Sequence, residues 1–445
     1  MCVSRDYVTA HFRRAERERD GAGQGLESGR GIRRGADHHG RRVGGGDVAG
    51  RGGAGRRHRR VGTKIDELNS SDAAGDEIEL VAGAVYTIGP ADDLCRDEDG
   101  NKTGDLDIRR TQPLKIFTAD GQPPAALKNA CTVETAQRLL HVQPPGDSKE
   151  PAGKLTLRNV VIQDGRAPNG SLVESWGGGV LSLGDVALEN TVFANNFAGN
   201  GLSGSEDDLV RDVVIQQVDG SPGGFGGAVA AEGTVTIDGS TFTGNKAGNG
   251  GDGLPGPVDP DCGGGPEGQG QSGGAGGLGG QGGAVLAIGG ITITNSTFTG
   301  NVAGNGGNGG NGGCANSAST IGGTGGDGGF PGDGGAVQCG LVLVVPERDR
   351  VVPCDGPMSI RASTLNGNST GNGGNGGNGA DGGDGGDGGA GGDGGGGGEA
   401  GGLGGAILFV GDESNADSTL LVENSTLEGN TSGNGGNGGN GGNGG

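Results

Sequence analysis

The feature that most constrains this chain is one segment that recurs six times. It reads LTLRNVVIQDG from Leu155, VALENTVFANN from Val186, VTIDGSTFTGN from Val235, ITITNSTFTGN from Ile291, MSIRASTLNGN from Met358 and LLVENSTLEGN from Leu420. A glycine-led segment precedes the later copies: GGGV at Gly177, GGAV at Gly226, Gly282 and Gly334, and GGAI at Gly404. From Gly177 to Asn196, Gly226 to Asn245 and Gly282 to Asn301 the step is 19 residues each time. The unit Gly334 to Asn368 holds 15 more residues, and Gly404 to Asn430 seven more. A fixed unit of this size suits one coil of a solenoid, whose coils bury their apolar faces only by stacking.

Composition agrees. The 445 residues include 114 glycines and only 3% aromatics, too few large side chains for an ordinary globule of this length. Within each unit V-x-I or I-x-I alternates, so Val235 and Ile237 share one face and Thr236 the other. Phe242 opens a second short strand after a bend. Val235, Ile237, Phe242, Val285, Ile291, Ile293 and Phe298 are therefore expected in one continuous core. The recurrent final asparagine (Asn196, Asn245, Asn301, Asn368, Asn430) fits the bend itself, because Asn tolerates left-handed backbone and bonds to neighbouring peptides. The fold class is all-β: a right-handed parallel β-helix with long Gly/Asn-rich insertion loops.

GGA[VI] paired with F-x-x-N (Phe193–Asn196, Phe242–Asn245, Phe298–Asn301) resembles the repeats of the polymorphic outer membrane protein family, within the pectate-lyase-like superfamily. Leucine replaces the aromatic at Leu365 and Leu427. Ala73–Ile88 resembles the first coil of such proteins, and Arg138–Ala167 the turn into their repeats. The resemblance covers about three quarters of the chain. It implies surface display, adhesive roles and an outer-membrane barrel; no barrel strands follow Gly433.

Each final asparagine is followed by a Gly-Asn-Gly at Gly199, Gly248, Gly304, Gly371 or Gly433, and then by a low-complexity tract. The distances to the next glycine pair are 30, 37, 33 and 36 residues, so similar loops leave one corner of successive coils side by side. Glycine-rich chains are usually flexible coils. The three-residue period of GNGGNGGNGG instead suits packed polyglycine-II-like helices, in which glycine permits close approach. The tracts also resemble the glycine-rich arrays of mycobacterial surface proteins.

Charge divides the chain. Residues 1–62 hold 15 arginines against 7 acidic groups, leaving 17 basic and 47 acidic residues for the rest. The basic segment has no apolar periodicity and is expected to be disordered or a mis-assigned start. Residues 63–170 are read as an N-terminal cap and first coils, and 171–445 as repeats cut short at the C-terminus. So acidic a body is a poor nucleic-acid binder. No stretch of about 18 apolar residues predicts a transmembrane helix, and no signal peptide is visible. None of the seven cysteines forms a C-x-x-C pair, and the six in the acidic body are compatible with disulfides outside the cytosol. Cys339 and Cys354 bracket a hairpin, LVLVV–PERD–RVV, and are the disulfide candidates.

Three kinds of chemistry have partial signals in the sequence. GGTGGDGGF (Gly322–Phe330) and GGNGADGGD (Gly376–Asp384) partly match a calcium-binding nonapeptide, making Asp327, Asp381, Asp384 and Asp387 weak calcium candidates; both lack the apolar anchor. Polysaccharide cleavage needs carboxylates stacked over successive coils beside an acid or base. The body's single histidine, His141, reads as a strand residue, and Asp105, Asp107, Arg109 and Arg110 in GDLDIRR as a solvated charged turn. Thr156, Thr236 and Thr292 align on an outward face that could meet ice or a crystal, interrupted by Ala187, Ser359 and Leu421. The reading is a non-enzymatic exported or cell-surface protein, adhesin-like or envelope-structural, with no catalytic residues and no cofactor. Its expected partners are host or neighbouring-cell surface glycans or proteins. The alternative is a carbohydrate-active, pectate-lyase-like β-helix or carbohydrate-binding protein.

Overall fold

The computed structural model describes residues 42–43, 54–88, 105–131, 137–146, 148, 150–170, 172–205, 219–256, 270–315, 320–343, 350–383, 386–393 and 401–444. Its strands form three long parallel sheets. The nine-stranded sheet runs through Leu155–Arg158, Val186–Glu189, Val235–Asp238, Ile291–Thr294, Met358–Arg361 and Leu420–Glu423 in register. An eight-stranded sheet takes the F-x-x-N halves, including Thr241–Thr243 paired to Thr297–Thr299. A seven-stranded sheet takes the strands after the glycine pairs, among them Val229–Ala231 and Val285–Ala287. Each coil therefore crosses all three sheets, and like residues stack upon like.

The seven residues expected in the core are all buried. Phe242 stacks between Phe193 and Phe298, with ring centroids 4.9 and 4.6 Å apart and planes nearly parallel. The final asparagine, however, is not the residue that turns. The left-handed residue is the one before it, Asn195, Gly244, Gly300, Gly367 or Gly429. The asparagine points inward, and Asn196, Asn245, Asn301 and Asn368 are fully buried. Each donates from Nδ2 to the Oδ1 of its neighbour one coil on, at 2.9 Å in every step from Asn196 to Asn430. Buried amides demand such partners, and a ladder supplies them without leaving the core. At the other corner hydroxyls do the same from Thr191 onward: Ser240, Ser296, Ser363 and Ser425 each accept the preceding coil's backbone N–H at 3.1 Å, beginning with that of Thr191.

The glycine pairs have separate reasons for each member. The first (Gly177, Gly226, Gly282, Gly334, Gly404) has φ between +61° and +67°, where a Cβ is strained. A Cβ on the second would collide with the backbone beside the asparagine ladder, such as Lys246 against Gly227.

A helix, Ala54–Ser71, closes the N-terminal end. Val61, Ile65 and Leu68 recur on one face and are fully buried against the first coil. The boundary expected between residues 62 and 63 thus falls inside this helix. Asn69 caps the edge strand Leu106–Arg109, donating to the Asp107 carbonyl and accepting the Arg109 N–H. GDLDIRR is not the solvated turn expected from its charges. Arg110 is fully buried, paired to Asp76 at 2.9 Å and donating to the Leu68 and Ala73 carbonyls, which ties the helix to the solenoid.

The glycine arms form an ordered second layer. In the outgoing arms Gly250 N–H donates to the Asn305 carbonyl, Gly306 to Asn372 and Gly373 to Asn434, all at 2.8 Å. The next residue of each triplet turns elsewhere: Gly307 N–H donates to Gly277 and Gly374 to Gly329, both on returning arms. Returning arms donate back, Gly277 to Gly251 and Gly329 to Gly307. A Cβ at Gly306 or Gly307 would collide with a neighbouring carbonyl. That leaves one position in three for a side chain. Asparagine fills it because its Oδ1 accepts the N–H of the asparagine one coil on, as from Asn200 through Asn249, Asn305 and Asn372 to Asn434 at 2.8–2.9 Å.

Candidate functional site

Three places gather polar side chains in arrangements that bear on chemistry. The first joins His141 to the acids of GDLDIRR. Strands Leu106–Arg109 and Leu140–Gln143 pair with Asp107 opposite His141, and Asp105, Asp107 and His141 present ligand atoms within 4.8 Å of one another. Both aspartates are buried. His141 Nδ1 lies 3.4 Å from Asp107, Arg109 3.6 Å from Asp107, and Arg138 3.7 Å from Asp105. Arg138 also donates to the Glu174 and Trp176 carbonyls. Two carboxylates facing two guanidiniums make a compact ion-pair network, which is how buried charges are ordinarily sustained. The same three ligand atoms could hold a cation only in competition with those arginines. Along the sheet the row from His141 continues to Leu181, Ala230, Leu286, Gln338 and Leu408. The acids do not extend onto a third coil.

The second place is the nine-stranded sheet's outward face. One row there runs Thr156, Ala187, Thr236, Thr292, Ser359, Leu421, the interrupted threonine column expected from the sequence. The neighbouring row sets Glu189 beside Asp238 on successive coils. Asp238 accepts hydrogen bonds from Thr294 Oγ1 at 2.6 Å and Asn295 Nδ2 at 3.0 Å, which hold its carboxyl below the usual range. A general acid needs the opposite shift.

The third place is the glycine slab. Its outgoing arms present exposed asparagine rows: the one from Asn200 to Asn434, then Asn308, Asn375 and Asn437, then Asn311, Asn378 and Asn440. Since each Oδ1 within a row serves the next coil, the face offers amide donors on a fixed two-dimensional grid. Asp381 occupies one such position and its Oδ1 accepts the Asn443 N–H. On the returning arms Asp327 accepts the Asp393 N–H at 2.8 Å. Neither joins Asp387 in a group of three potential ligands among the described residues, and Asp384 lies outside them.

Cys339 and Cys354 are disulfide-bonded with Cα atoms 5.2 Å apart. They close a hairpin whose strands, Leu341–Leu343 and Arg350–Val352, pair antiparallel; the PERD segment expected to turn between them lies outside the described residues. Cys131 and Cys314 each take part in a further disulfide. No helix among the described residues is long and apolar enough to cross a membrane. The groups that sequence reasoning missed are the two buried ladders; their signal was a hydroxyl five residues before every final asparagine. Comparison with known proteins finds no family model, no curated protein and no solved structure that matches this chain.

Proposed function

We propose that this chain is a non-enzymatic, exported or cell-surface protein, adhesin-like or envelope-structural, that acts through a rigid, repetitive surface. Its coils are taken as right-handed, the hand that parallel β connections almost always adopt. Its glycine arms are taken as polyglycine-II helices, on the strength of their three-residue period and three-way hydrogen bonding. The observation that carries the reading is the asparagine grid: neutral donors, held in register by bonds from each Oδ1 to the next coil's N–H, with Asp252 and Asp381 standing in two of the positions. Such a surface is preorganised for extended partners, because its amides lose little freedom on contact. Disulfides at Cys131, Cys314, Cys339 and Cys354 favour an oxidising compartment. The resemblance of GGA[VI] and F-x-x-N to polymorphic outer membrane repeats points the same way.

A polysaccharide-cleaving reading is favoured by one observation, the approach of His141 to Asp107. Its acids, however, are already paired with arginines and stop after two coils. Incubating the purified chain with surface polysaccharides separates the two. The proposal expects sedimentation with the polymer and no new reducing ends or unsaturated products. Sustained product release, lost on His141→Ala, would replace it with the enzymatic reading.

A further inference from the structure

A groove runs along the corner where the coils pass into the glycine slab. There Arg166, Phe197 and Lys246 occupy the same position on three successive coils and are joined by parallel bridges. The Arg166 guanidinium sits 4.3 Å from the centre of the Phe197 ring. Across the groove stand Asn169, Asn200 and Asn249, locked in register by 2.9 Å hydrogen bonds from the Asn200 N–H to Asn169 Oδ1 and from the Asn249 N–H to Asn200 Oδ1. Small buried residues, Ala167, Ala198 and Ala247, make the floor, and the cavity holds about 220 Å³.

Charge makes this place unusual. The chain beyond residue 62 is strongly acidic, and after Arg211 its bases are Lys246, Arg348, Arg350 and Arg361. Yet Arg166 and Lys246 have no carboxylate partner among the described residues, and they flank one aromatic ring. On later coils the position becomes Val302, Ser369 and Thr431, so the cations are confined to this stretch. The spacing of stacked strands puts Arg166 and Lys246 about 10 Å apart along the axis.

We infer that this groove binds an acidic oligosaccharide, a short extended glycan segment bearing carboxylate or sulfate groups. The cations take the acidic groups, the part of the Phe197 ring that Arg166 leaves uncovered packs against a sugar ring, and the row of Nδ2 amides takes hydroxyls. A nucleic acid fits poorly: two cations cannot offset the repulsion of an acidic body for a continuous polyphosphate. The inference rests on the reading of this chain as a binding protein and names its ligand class.

Isothermal titration of the full chain with oligogalacturonate, with sulfated dextran oligomers and with neutral dextran oligomers tests it. Binding of one or both acidic ligands, weakened by salt, is expected, with none for the neutral one. Lys246→Gln and Arg166→Gln should each weaken it roughly fivefold or more, while Arg361→Gln on the distant sheet face leaves it unchanged. Because Lys246 is exposed, its variant keeps the fold testable, and an unchanged thermal midpoint confirms that. Equal binding of neutral dextran, indifference to both groove variants, or no binding of either acidic ligand overturns the inference. Cleavage of a bound acidic oligomer would uphold the groove while removing the non-enzymatic reading, so the two fail separately.

Discussion

Phe242 in the coil and Gly307 in the slab are both pinned by the coils on either side, yet by different means. Phe242 is held by the faces of Phe193 and Phe298 and by dehydration; nothing about its contacts is directional except the ring stacking. Gly307 has no side chain to dehydrate, and its place is set by a backbone hydrogen bond to Gly277 and by the absence of a Cβ. Apolar burial stabilises in proportion to area, whereas net hydrogen-bond contributions are small and losing one inside a packed array is costly. The coil should therefore carry the stability, and the slab should carry rigidity that depends on it.

The largest effect that would test this contrast is Phe242→Ala. Emptying the middle of a three-ring stack should cost about 3–5 kcal/mol in chemical denaturation. Because solenoid coils contact only their neighbours, the loss should be felt most in the adjoining coils by hydrogen exchange. A loss under about 1 kcal/mol would mean that the coil core is not what holds the molecule together. Gly307→Ala is the counterpart. It should abolish amide protection in the arms around residues 303–313 while moving the thermal midpoint far less than Phe242→Ala. If the two variants unfold together, the slab and the coil are one cooperative unit and the contrast fails.

The coil was legible in the sequence because its signal is side-chain chemistry. Alternation at Val235 and Ile237, and recurrence of Phe193, Phe242 and Phe298, fix which residues face inward. The bend at Asn245 is half explained by the sequence: its amide does bond a neighbouring peptide, the Phe193 carbonyl, but the left-handed backbone falls on Gly244. A turn and a buried ladder both select asparagine, and local sequence does not distinguish them; the neighbouring Gly244, which carries the positive φ, was the clue. The approach of His141 to Asp107 was not legible, because these coils precede the GGA[VI] repeats and share none of their spacing. The groove was legible only in part: aligning the repeats puts Arg166, Phe197 and Lys246 at one position, directly after Gly165, Asn196 and Asn245, but only the folded arms show that the asparagine row faces them.

The disulfide sharpens the comparison at intermediate size. Cys339 and Cys354 close a hairpin that stands on the coil and is fastened to it by Gln281, whose Oε1 accepts from Gln338 Nε2 at 2.5 Å and from the Val342 N–H at 3.1 Å. Replacing both cysteines by alanine should cost roughly 3 kcal/mol for a loop of this length. The cost should appear as early exchange of hairpin amides, with the asparagine ladder at Asn301 and Asn368 still protected. Loss of ladder protection in the same step would show that the hairpin braces the coil.

The smallest expected effect sits where the two regions meet. Asp333 ends a returning arm immediately before the Gly334 pair, and its Oδ1 accepts the Leu403 N–H at 2.6 Å. Burial pushes its carboxyl up to about 6, against the partial opposition of that hydrogen bond. The folded chain therefore holds this proton more tightly than the unfolded chain, whose aspartates titrate near 3.9. Below about pH 4 the group is protonated in both states and costs nothing. Between about pH 4 and 6 the unfolded state ionises first, so stability falls as pH rises, and above about 6 the full cost is present. Converted at 1.36 kcal/mol per unit, the cost is on the order of 2–3 kcal/mol. Asp333→Asn keeps an oxygen for Leu403 and removes the charge, as the asparagines of the slab already do. The difference in stability between variant and natural chain should grow from near zero at pH 4 to that value at pH 7. A difference that is flat with pH, or a variant less stable at pH 7, would show that the junction tolerates the carboxylate and that the arm is anchored elsewhere.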